Sequence, residues 1–141
     1  MGDRWERELA KELDGKRQPS SGAFGTLTNR SSLTGDVVTR YPWWNKPLHI
    51  ECKYGYGGSK SMSIKREWIE KVRKESQLNH RYPILAIKFR DVTSGDLASA
   101  KVICIDLETW KDLMQEIEYL YLEYLALLEK QFNATDNPES L

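Results

Sequence analysis

The stretch "HIECKYG", His49–Gly55, decides how this chain is read. It follows Pro47 and has the make-up of a short strand, yet Glu51 and Lys53 sit in its middle. Residues two apart in a strand share a face. An acid and a base therefore stand together on one face, with Ile50 and Cys52 on the other. Charges enter a strand core only with a partner or a task. The rest of the chain has to supply one.

The segment just upstream does so. "DVVTRY", 36–41, reads as a strand after Gly35, and "YPWWNKP", 41–47, reads as a turn with two exposed tryptophans. Residues 36–53 thus form a hairpin pattern. If its strands pair, Asp36 comes to lie beside Glu51. Two carboxylates held close repel unless a cation bridges them or one takes up a proton. Hard oxygen ligands of this kind suit Mg²⁺ or Mn²⁺. A metal there polarises a phosphodiester and activates a water. The lysine two residues on can orient that water or neutralise the charge on the phosphate. The competing reading of the same residues is a structural cross-strand ion pair made by Lys53.

Residues 3–14 read as a helix. With Trp5 at zero and ~100° per residue, Leu9 lies near ~40°, Leu13 near ~80° and Glu6 near ~100°. Glu6 is therefore a carboxylate on the face that the helix buries, and Glu8 and Glu12 fall on the solvent side. Gly15 ends the helix. The segment after it is rich in Gly, Ser and Thr, with a short strand expected near Ala23–Thr28.

Downstream, "GYGGSKS", 55–61, reads as a flexible loop, and 63–79 as a helix with Ile64, Trp68, Ile69 and Val72 inward. "PILAIKF", 83–89, is apolar enough for a strand covered on both sides. "KVICID", 101–106, is a further strand. From 107 to 132 a long helix carries Trp110, Leu113, Ile117, Leu120, Tyr124 and Leu127 at alternating spacings of three and four. Met114, Tyr121, Leu125, Leu128 and Phe132 form a second stripe. Two readings of these stripes stand side by side, a cover for the sheet and an oligomer contact. Residues 133–141 read as a frayed tail.

The length of 141 residues fits one domain, taken as 1–132. No apolar run reaches the ~18 residues that a membrane span needs, and the charged start lacks the apolar core of a signal peptide. A cytoplasmic setting is expected, with Cys52 and Cys104 reduced. The formal net charge is zero, but it is unevenly spread. Residues 1–90 hold 18 Lys/Arg against 10 Asp/Glu, and residues 91–141 hold 3 against 11. A net of +8 on one part of a neutral chain points to a polyanion partner.

Taken together, these pieces resemble the PD-(D/E)XK nuclease superfamily, and within it the archaeal-type Holliday junction resolvases. "WERELAKEL" is similar to their first helix and places its acid at Glu6. "PSSGAFG" resembles their serine-glycine segment, with the family serine at Ser20 or Ser21. "GDVV" resembles the motif acid, Asp36, with Gly35 where proline is usual, and "IECK" resembles the Glu-x-Lys pair, Glu51 and Lys53. "SIKREWIEKVRKESQ" and "RYPILAIKFRD" are similar to the helix and apolar strand that follow.

The resemblance spans roughly residues 3–106 and implies an α/β fold. This is a restriction-endonuclease-like core with a mixed central β-sheet flanked by helices, here with a long C-terminal helix added. It also implies a homodimeric Mg²⁺-dependent endonuclease, with Mn²⁺ as a substitute and no small-molecule cofactor, that makes paired symmetric nicks in four-way DNA junctions. Asp36, Glu51 and Glu6 would hold the metal, with Lys53 and Ser21 (or Ser20) in catalysis. Arg4, Arg7, Lys16, Arg17, Arg30, Lys60, Lys65 and Arg66 are the candidates for contacts to the DNA backbone. Trp43 and Trp44 could stack on bases or cap an interface. His49 shares the Glu51 face one step from the chemistry, and His80 reads as a loop residue. A restriction-like or repair endonuclease on the same scaffold is the alternative.

Overall fold

The computed structural model describes residues 2–18 and 36–136. The expected strand near 23–28, Ser20, Ser21, Arg30 and Gly35 lie outside the described residues. In chain order the elements are helix α1 (Gly2–Glu12), strand β1 (Lys16–Arg17), strand β2 (Val37–Thr39) and strand β3 (Leu48–Tyr54). Helix α2 (Arg66–Leu78), strand β4 (Tyr82–Lys88), a 3-10 turn (Leu97–Ala100), strand β5 (Lys101–Cys104) and helix α3 (Leu107–Asp136) follow. Two compact units divide between 106 and 107.

The first unit is built on one five-stranded mixed sheet in the order β1-β2-β3-β4-β5. β1 and β2 pair antiparallel, as do β2 and β3, β3 and β4 are parallel, and β4 and β5 are antiparallel. Parallel neighbours need a crossover, and α2 lies within that crossover. This is the α/β arrangement expected, with a long C-terminal helix.

The alternation of β3 and β4 sorts their side chains onto two faces. On one face Val37 and Ile50 are fully buried with Trp5 and Leu9 of α1, and the Trp5 indole N–H donates to the Ala86 carbonyl at 3.3 Å. On the other face Leu85 and Ile87 pack with Trp68 of α2. β4 is thus covered on both sides, as its unbroken apolar sequence requires. Gly15 sits where α1 turns into β1, and a Cβ there would run into the Thr39 hydroxyl. Gly55 ends β3 in the left-handed region, at φ 75.

Three expectations are corrected. Glu8 and Glu12 are not simply solvated. Glu8 meets both Lys88 and Lys101 at 2.5 Å, and Lys101 also meets Glu12 at 2.7 Å, because the long lysine stems of β4 and β5 reach up to α1. Ile64 lies before the first turn of α2 and is exposed, so Trp68, Val72 and Ser76 form that helix's buried stripe instead. The segment 55–61 is tied by a bridge between Gly57 and Met62. Among the described residues no helix is long and apolar enough to cross a membrane.

Candidate active site

The hairpin pairs as its alternation demands. Val37 faces Ile50, Val38 faces His49 and Thr39 faces Leu48. Asp36 lies one residue before this paired segment. The Asp36 backbone is gripped from both sides, its N–H donating to Ile50 O and its carbonyl accepting from Gln18 N–H, each at 2.9 Å. Its carboxylate accepts the Cys52 backbone N–H at 2.6 Å. Asp36 and Glu51 are both 6% exposed. A buried carboxylate needs charge-assisted partners, and these two have them.

Glu51 Oε1 has two ammonium groups near it, Lys53 at 3.5 Å and Lys71 at 3.3 Å. The Lys53 ammonium also lies over the Trp68 ring, 4.8 Å from its centre, and over the Tyr56 ring at 5.5 Å. Those two rings meet edge to face at 4.7 Å. The aromatic pair aims the lysine along its strand, toward Glu51. Burial works to lower the Lys71 ammonium pKa, but Glu51 and then Glu75 outweigh it and hold it above its ordinary value.

Glu6 is buried on α1, on the inward face that its helical angle predicts. Its carboxylate accepts from the Arg17 guanidinium at 2.9 Å, and Arg17 reaches Asp3 as well. Burial pushes the Cys52 thiol up, and the nearby carboxylates of Asp36, Glu6 and Glu51 push it further, against Lys53. All four charges therefore act on one point of β3. Among the described residues no three His, Cys, Asp or Glu side chains form a ready metal cluster. Asp36 and Glu51 are the donor pair that fits a hard cation. They offer carboxylate oxygens, the ligand type that such a cation takes, and the ammonium groups on Glu51 are the partners that a cation would displace.

Of the proposed DNA contacts, Arg4, Arg7, Lys16 and Lys60 are exposed. Lys65 and Arg66 are exposed beside Glu67 and Glu70 of their own segment, at 4.0 and 3.1 Å. Arg17 is exposed too, but its guanidinium is engaged with Glu6 and Asp3 rather than left for a phosphate. Trp43 stacks on Tyr41, 4.9 Å apart and 11° from parallel, while Trp44 meets Tyr41 edge-on.

Sequence reasoning missed Lys71, Glu75 and Arg81. With Trp68 at zero, Lys71 falls near ~−60° and Glu75 near ~−20° on the wheel, so both flank the buried stripe. That was a readable signal. His49 is fully buried. Arg81 stands 3.2 Å from its Nδ1, and a guanidinium only donates, so Nδ1 accepts. Nε2–H is left to donate to Glu75 at 3.2 Å.

Residues 1–135 match the model of a family described as "Phage putative PDDEXK endonuclease". The match covers the stretch that holds Glu6, Asp36, Glu51 and Lys53 and nearly all of α3. No curated protein matches the chain. With its five-stranded mixed sheet and a match over nearly its whole length, the chain belongs to this phage PDDEXK endonuclease family, within the PD-(D/E)XK superfamily.

Proposed function

We propose that the protein cleaves DNA by metal-dependent phosphodiester hydrolysis, and that its preferred substrate is a branched, four-way junction. The observation that carries the chemistry is the Asp36 carboxylate held on the backbone N–H of Cys52, the residue between Glu51 and Lys53, with the Lys53 ammonium beside Glu51. Asp36 and Glu51 would hold Mg²⁺ or Mn²⁺. When bound, such an ion supplies Lewis-acid activation of the phosphate and of an attacking water. Lys53, aimed by Trp68 and Tyr56, meets the negative charge that builds on the phosphate. Glu6, kept in place by Arg17, lies at the α1 side of the same group of charges and helps to set the water or the metal. The serine at 20 or 21 would join from the segment that precedes Asp36.

The substrate reading rests on the resemblance of Glu6, Asp36, Glu51 and Lys53 to junction resolvases and on the basic first ninety residues. Exposed Arg4, Arg7, Lys16 and Lys60 would contact phosphates, which read shape rather than bases. Paired nicks need two sites. A homodimer supplies them, and the apolar stripes of α3 offer a surface for it. Cleavage would take place in the cytoplasm of the host cell.

The test is a labelled four-way junction and a linear duplex of the same sequence, each with Mg²⁺ or with chelator. Paired symmetric nicks in the junction alone are expected. Equal cutting of the duplex would point to a restriction-like or repair enzyme on this scaffold. Binding without cutting in any metal would remove the nuclease reading of this site.

A further inference from the structure

Two lysines share one oxygen of Glu51, and they are held differently. Lys53 is 13% exposed and boxed by the Trp68 and Tyr56 rings, whose faces attract a cation. Lys71 rises from the middle of α2, and its side chain is 48% exposed. Its other carboxylate is Glu75, one helical turn on, at 3.8 Å. Glu75 is itself anchored by the buried His49, which Arg81 holds from its other side. Lys71 therefore has a half-exposed stem and two carboxylates within reach.

Charge decides which it takes. Asp36 and Glu51 bring two negative charges, and Lys53 and Lys71 bring two positive ones. A divalent cation on the same carboxylates would face both ammonium groups at short range, where like charges repel strongly. One lysine has to leave. Lys53 is boxed in, whereas Lys71 can swing to Glu75 without losing a carboxylate partner.

We propose that Lys71 is the exchangeable counter-ion of Glu51. It neutralises this carboxylate in the metal-free protein, yields Oε1 to the incoming metal, and withdraws to Glu75. It is a positioning residue that sets how readily the site loads. The inference rests on the reading of Asp36 and Glu51 as the metal-holding pair, and it assigns a task to the Lys71–Glu75–His49 chain.

The test is Mn²⁺ titrated calorimetrically into the full chain without DNA. Lys71→Gln should bind Mn²⁺ about thirtyfold tighter, the scale of one unit charge removed from ~4 Å of a doubly charged ion in a water-like dielectric. Lys71→Arg keeps the charge and should keep the wild-type affinity. Lys74→Gln, an exposed lysine on the same helix, should do the same. Unchanged or weaker binding in Lys71→Gln overturns the proposal, as does equal tightening in Lys71→Arg or Lys74→Gln. Glu51→Gln separates the two levels. If it binds Mn²⁺ like the wild type, the metal-site reading falls and takes the proposal with it. If it loses binding while Lys71→Gln is unchanged, only the role of Lys71 falls.

Discussion

Asp36 and Glu51 owe their placement to backbone more than to side chain. Asp36 is tied through its main chain to both neighbouring strands, so an isosteric change leaves its position intact. Asp36→Asn or Glu51→Gln should therefore keep the fold and DNA binding while lowering nicking at least about a hundredfold, the scale for losing one preorganised charged group. Junction cleavage beside a gel-shift assay checks this, and wild-type cutting by either variant would rule out the site. Cys52 stands between Glu51 and Lys53 but takes no part in the chemistry. Its thiol is pushed up by burial and by the surrounding carboxylates, and Cys104 is pushed up by burial. A raised pKa keeps the neutral, unreactive form. At pH 8 a disulfide reagent should label both cysteines more slowly in the native protein than in denaturant, because a raised pKa lowers the fraction of reactive thiolate. One fast-reacting thiol would contradict that environment.

At the scale of elements, α1 is fastened to the sheet by more than its apolar face. Glu8 bridges Lys88 and Lys101, which are paired neighbours on β4 and β5. Hydrogen bonds from Lys101 and then Lys88 hold the Glu8 carboxyl below its ordinary value. A depressed carboxyl stabilises the fold above its unfolded pKa, and the contribution is lost as pH falls through the folded one. Glu8→Gln should cost ~0.5–1 kcal/mol at pH 7, typical of a part-exposed ion-pair network. The gap to wild type should close on acidification below the normal Glu range, as read by denaturant melts at several pH values. A constant gap would mean that packing, not charge, is lost. The helical wheel found the buried arc of α1 but missed this cluster, because a wheel carries no information about which long side chains of distant strands reach a helix. The hairpin was legible for the opposite reason. Its partners are near in sequence, and period two fixes which side chains share a face.

At the scale of the whole molecule, α3 bears a long run of apolar side chains. Along 30 residues it leaves Ile117, Tyr121, Tyr124, Leu125, Leu128 and Phe132 exposed, among others. Contiguous exposed apolar surface of that extent marks an interaction site. The homodimer proposed above predicts concentration-dependent association in sedimentation velocity. Tyr124→Glu should raise the dimer dissociation constant at least about tenfold, the cost of one buried anchor residue. A monomer at all concentrations would remove the dimer.

The sequence by itself determined the residues whose neighbours lie close along the chain. It determined the β2–β3 hairpin, the Asp36, Glu51 and Lys53 set on it, the inward Glu6, and the long amphipathic α3. Periodicity carries that information, since alternation and helical angle are local properties of a backbone. Only the tertiary structure decided what neutralises the site. Lys71 reaches Glu51 from 20 residues away, Arg81 reaches His49 from 32, and Arg17 crosses 11 residues to Glu6. These are long side chains that meet across elements once packing has set the distances. No local pattern encodes that choice of partner, and it is this choice that gives the buried carboxylates their compensating charges.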